Sequence, residues 1–190
     1  MALPLFCFYP SVIAHATLAT SDMFATLFFL LCLFFAERAF RRMTPLVLLA
    51  TALSLAGLFL SKYSAFFLVP VWLVMMMLRI SSSSPILVSL PGRAILARSQ
   101  LRKLLACVFF SAAAALMVYA IIWASYGFRF SSVSEGDTMG RRFMDEVCWG
   151  RQLDEESGFH KLIAAARDRR ILPEAYIYGF LYMFESAKGR

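Results

Sequence analysis

The chain has 190 residues, of which 61% are hydrophobic and 16% charged, with a mean hydropathy of +0.70 and a net charge of +7. An ordinary soluble domain carries about 25% charged residues. The composition therefore excludes a disordered chain, a nucleic-acid-binding basic domain and a small disulfide scaffold, and it favours a polytopic membrane protein over a soluble enzyme.

Residues 1–20 are apolar but broken by Pro4 and Pro10, and they carry no basic flank. They read as the end of an earlier span followed by a short helix holding His15, not as a signal peptide. The apolar run 23–36 predicts a helix from Ser21 to about Arg42. Ser21 caps its first turn, and Asp22 sits where the helix dipole favours an anion. Two more apolar runs, 43–61 and 63–78, are separated only by Lys62. Together they are too long for one crossing of about 20 residues. They predict two short helices in a hairpin with Ser61, Lys62 and Tyr63 at its tip. Residues 79–103, with serines at 81–84, Pro85, Pro91 and Gly92, read as a basic loop. A fourth span covers 104–125.

The expected fold is all-α: about four transmembrane helices in a bundle over 1–125, then a mostly helical external loop over 126–190. Charge orients it. Residues 37–42 hold three Arg and one Glu, and 79–103 hold five cations and no anion. This is the positive-inside pattern, and it puts both stretches in the cytoplasm. Asp22, Lys62 and residues 126–174 then face outward. The expected location is a bacterial inner membrane, with lipids as partners and no nucleic acid. In the loop, Ser157 caps an amphipathic helix with Phe159, Leu162, Ile163 and Ala166 on one face, able to lie on a membrane and ended by Pro173. Residues 175–184 are too short to span, and their three Tyr suit the interface.

Four cysteines make no framework. Cys7, Cys32 and Cys107 lie in apolar runs as small buried hydrophobes, Cys148 is alone in the loop, and there is no CxxC. The chemistry rests on a few ionisable residues, because a charge beside an apolar span needs a partner or a role. Asp22 is either a helix cap or a ligand for a metal, a phosphate-bound cation or an acceptor. Lys62 either captures a phosphate or snorkels to the interface. His15 is either hydrogen-bonded packing or one ligand of a metal site. Arg129, behind Tyr126 and Phe128, binds an anion or anchors the interface. Asp145, Glu146, Asp154, Glu155 and Glu156 read as a solvated face.

Three phrases together resemble the polyprenyl-phosphate-dependent GT-C glycosyltransferases, the bacterial members related to protein mannosyltransferases and the lipid A aminoarabinose transferase. They are PSVIAHATLATSDMF (10–24), LSLAGLFLSKYSA (53–65) and LPEAYIYGF (172–180). The resemblance implies transfer of a sugar, with inversion, from a polyprenyl phosphate to an unknown acceptor (a protein, lipid or glycan) outside the cytoplasm. It implies that Lys62 pairs with the departing phosphate, with Tyr63, His15 and Arg129 as further substrate-binding residues. Asp22 is then an accessory residue, with His15 near a possible divalent cation. The family's catalytic Asp precedes the 10–24 phrase, and no acid lies among the first nine residues. The resemblance therefore implies an internal fragment, inactive alone. Two other functions compete: a transporter or channel component with Asp22 and Lys62 as intramembrane charges, and a non-catalytic scaffold.

Overall fold

The computed structural model describes residues 21–90, 93–134, 136–149 and 158–188. The expected helix within 1–20, His15, Cys7, the Pro91-Gly92 pair, Ser157 and the acids 154–156 lie outside them. The chain is mostly helical and divides into two compact units, Met1–Tyr119 and Ala120–Arg190.

The first unit opens with α1 (Ser21–Arg41), its anion in the first turn and Arg38 and Arg41 in the last, in the sense the dipole favours. Helix α2 (Pro45–Ser61) starts where the Thr44 hydroxyl accepts the Val47 N–H at 3.2 Å and Pro45 supplies a preset φ. Its hydroxyls need no partner helix: Thr51, Ser54 and Ser61 each donate to the carbonyl four residues back, at 2.7, 2.8 and 2.6 Å. Such bonding satisfies polar side chains in apolar surroundings. Lys62 is extended, and a 3-10 turn (Tyr63–Phe67) then leads into α3 (Leu68–Ser81). The expected break at 61–63 is present, and the helices on either side of it both pack on α1.

Gly57 makes room on α2 for the Phe28 ring of α1, which a Cβ there would meet. Beside this contact Cys32, Leu58, Ala65 and Leu68 form one buried cluster. A second cluster joins Ala36, Ala39, Phe40 and Met43 to Ile86, Ala97, Cys107 and Phe110. Cys32 and Cys107 are buried as small apolar groups.

The stretch 79–103 is not a plain loop, which corrects the all-helical expectation. Strands β2 (Ile86–Leu90) and β3 (Arg93–Ala97) pair antiparallel, and β1 (Arg42–Met43) pairs parallel to β2. The β-branched Ile86, Val88 and Ile95 favour this pairing, and Pro91-Gly92 between the strands is turn-favouring sequence. Two of the basic residues are also structural. Arg79 donates to the carbonyls of Phe40 (2.6 Å) and Pro85 (2.7 Å). Lys103, only 2% exposed, donates to the Ser82 carbonyl at 2.5 Å. Helix α4 (Gln100–Ser125) follows.

Among the described residues two helices are long and apolar enough to cross a membrane: α1 over Asp22–Arg41, and α4. The apolar helices Pro45–Ser61 and Ala65–Ser81 are shorter.

The second unit contains α5 (Thr138–Arg142), a π-helical stretch (Phe143–Trp149), α6 (Gly158–Asp168) and α7 (Glu174–Lys188). Its core gathers Trp149, Ile163, Ile177 and Leu181. Helix α6 is amphipathic as expected, but its inward face is Phe159, His160, Ile163 and Ala166, whereas Leu162 is 71% exposed. Its end is also set differently. Arg170 takes a positive φ of 51°, and Ile171 N–H reaches back to the Ala166 carbonyl at 3.0 Å. Pro173 begins the next helix: its carbonyl accepts the N–H groups of Tyr176 and Ile177. Of the three tyrosines in 175–184, Tyr176 is buried and Tyr178 half-buried, so only the exposed Tyr182 fits the interfacial expectation.

Candidate functional site

Asp22 and Lys62, 40 residues apart, form an ion pair. Asp22 occupies the first turn of α1, where its carbonyl also accepts the Thr26 hydroxyl at 2.8 Å. Lys62 follows the last residue of α2, held by its N–H on the Leu58 carbonyl at 3.0 Å. The packing of α1 on α2 through Phe28 and Gly57 sets the two helix ends side by side. Both side chains are about half exposed or more. An exposed pair of this kind is worth about 0–1 kcal/mol. The contact therefore orients the ammonium without locking it, and an arriving anion can replace the carboxylate. Tyr63 is half-buried at the start of the 3-10 turn beside Lys62.

His15 lies outside the described residues, and Arg129 belongs to the second unit, where it is exposed. Among the described residues no three His, Cys, Asp or Glu group as metal ligands. Of the suggested metal pair only Asp22 is described, and its carboxylate holds the Lys62 ammonium.

The second unit holds a polar cluster that the sequence reading missed. Glu174 is 0% exposed, at the first turn of α7. Its carboxylate accepts the Ser132 N–H (3.1 Å), the Ser132 hydroxyl (3.0 Å) and the Arg141 guanidinium (3.2 and 3.3 Å), and Arg167 stands at 3.7 Å. Arg141 also bonds the Ser131 hydroxyl. Arg167 bonds Asp145 and lies over the Trp149 ring at 4.6 Å. Asp145 is thus a partner for Arg167, more than part of a solvated face. Glu146 does stay exposed, 3.4 Å from Arg142. The available signal was an acid directly after a proline at a helix start, downstream of an arginine-rich segment.

His160, buried on α6, meets Glu185 of α7 at 3.1 Å through Nε2, and its Nδ1 has no partner. Burial raises the Tyr126 phenol above its usual 10.0. Tyr178 is raised by burial first and then by its hydrogen bond with the Cys148 thiol. No family model, no curated protein and no solved structure matches the chain.

Proposed function

We propose that the chain is membrane-embedded machinery of a GT-C type glycosyltransferase, which moves a sugar from a polyprenyl phosphate to an acceptor on the external face of a bacterial inner membrane. The observation that carries this reading is the Asp22–Lys62 pair, set where α1 begins and α2 ends. A lysine there meets a lipid phosphate at headgroup depth and neutralises charge as the sugar leaves. Asp22 holds the ammonium in place until the phosphate arrives.

Four crossings fit the helices: α1, α2, the segment 63–81 and α4. Helix α2 has 17 residues and rises about 25 Å, at the short end of what spans. In the most apolar stretches of α1 and α4 only 22% and 28% is buried. A core helix of a soluble protein is covered, whereas these leave Phe24, Leu27, Phe109 and Leu116 outward, as a lipid-facing helix does. A transporter places its charges near the middle of the bilayer. The position of this pair at helix ends favours surface chemistry instead.

The test needs no turnover. The full chain in lipid nanodiscs is photo-crosslinked with a polyprenyl monophosphate analogue. Lys62→Ala should cut labelling about tenfold or more, the cost of a lost charge-assisted hydrogen bond. Asp22→Asn should keep it, since the ammonium remains. Unchanged labelling of Lys62→Ala removes Lys62 from donor binding.

A further inference from the structure

In the second unit an open cleft of about 1170 Å³ is lined, among the described residues, by four arginines, Arg129, Arg141, Arg142 and Arg170, against one acid, Asp137. We propose that this cleft is a binding site for a phosphate group, carried by a soluble ester or by a lipid headgroup. The proposal stands on the cleft alone and does not depend on the transferase reading.

The partners of each charge show what is left for a ligand. Asp137 is engaged locally: its carboxylate accepts the Gly140 N–H at 2.9 Å. Arg141 is fixed from below by the buried Glu174 and by Ser131, which orients its guanidinium. Among the described residues Arg142 has only the exposed Glu146, at 3.4 Å. Arg170 lies over the Phe130 ring, 5.3 Å from its centre, and has no carboxylate among the described residues. Arg129 makes no ion pair among the described residues. Among the described residues, two guanidiniums are thus free of carboxylates, one is weakly held and one is held rigid. Ser134 and Thr138 add hydroxyls to the wall. A lone carboxylate needs one guanidinium. Several around one cleft suit a group with more charge and more oxygens, and the planar fork matches phosphate geometry.

The backbone adds a second observation. Among the described residues, the non-glycine residues at positive φ are Phe128 (55°) and Arg170 (51°), and both line this cleft. Glycine is the residue such a helix end ordinarily takes. Here the position carries the arginine instead, so conformational ease is given up for a cation.

Arg170→Gly separates fold from function, because glycine relaxes the positive φ while removing the charge. Arg129→Gln alters an exposed side chain. The full chain in detergent is titrated with inorganic phosphate and with glycerol 1-phosphate against chloride at matched ionic strength. A second arm uses nanodiscs of phosphatidylcholine with or without phosphatidic acid. The wild type should bind saturably in at least one arm. Binding in the soluble arm identifies a free ester as ligand, and binding only to phosphatidic acid discs identifies a headgroup. Each substitution should weaken binding about tenfold, with Arg170→Gly at least as stable as wild type. No saturable binding in either arm, or wild-type binding by the double variant, overturns the proposal.

Discussion

At the scale of single residues, burial separates two kinds of charge. The pair Asp22–Lys62 is exposed and weak, so its loss should hardly move stability. Glu174 is fully buried among two arginines and the N–H and hydroxyl of Ser132. Removing it leaves Arg141 and Arg167 without their shared carboxylate, but both reach solvent, so the cost falls below that of a fully buried pair. Glu174→Ala should therefore destabilise the second unit by about 1–3 kcal/mol, read as a shift of urea unfolding followed by tryptophan fluorescence. A shift of a few tenths would mean that water already reaches the cluster. The tyrosines add a pH dependence. Tyr126 and Tyr178 have folded pKa values raised above 10.0, so their neutral forms stabilise the fold. That stability is complete below about pH 10 and is lost as pH rises through the folded values. Alkaline titration of tyrosine absorbance should show late-ionising groups together with loss of near-ultraviolet dichroism. A single titration at the ordinary tyrosine value would contradict this. The sequence pointed to Asp22 and Lys62 because each is isolated beside apolar runs. Glu174 was hidden because its partners come from residues 132, 141 and 167, and no local pattern announces them.

At the scale of elements, helix ends and turns were legible where local chemistry sets them. Lys62 breaks the long apolar run as read from the sequence, whereas the Thr44-Pro45 start of α2 is a capping signal the sequence analysis passed over. Two elements were misread for identifiable reasons. The segment 79–103 has charges and turn residues that read as a loop, but its short alternating apolar runs pair through backbone bonds with Met43's strand, 45 residues upstream of Val88. In α6 the periodicity was right and the phase was off by a fraction of a turn. His160 took an inward place, paired with Glu185, and Leu162 was turned out. Contact between α1 and α2 depends on Gly57, whose missing side chain admits Phe28. Gly57→Leu should force these helices apart and separate Asp22 from Lys62. Spin labels at Asp22→Cys and Lys62→Cys in a cysteine-free background should then lie farther apart in the Gly57→Leu protein than with Gly57 in place. Equal separations in both would show that the close approach does not govern the pair.

At the scale of the whole molecule, composition and charge carried most of the reading. A mean hydropathy of +0.70 and cations clustered at 37–42 and 79–103 suggest a membrane chain with one basic side. The helices are consistent with this, with two long apolar helices and two shorter ones. What composition does not encode is the second unit. Its buried ionic cluster, arginine cleft and aromatic core arise from contacts between residues far apart in sequence. The central claim is that residues 79–103 lie on one side of a membrane and residues 126–174 on the other, with Lys62 at the latter. The most direct measurement is labelling of intact cells with a membrane-impermeant maleimide, using Ser83→Cys and Ser134→Cys in a cysteine-free background; both positions are exposed. The account predicts that Ser134→Cys is labelled from outside and Ser83→Cys only after permeabilisation. Labelling of both from the same side, or release of the chain from membranes by alkaline carbonate, would contradict it.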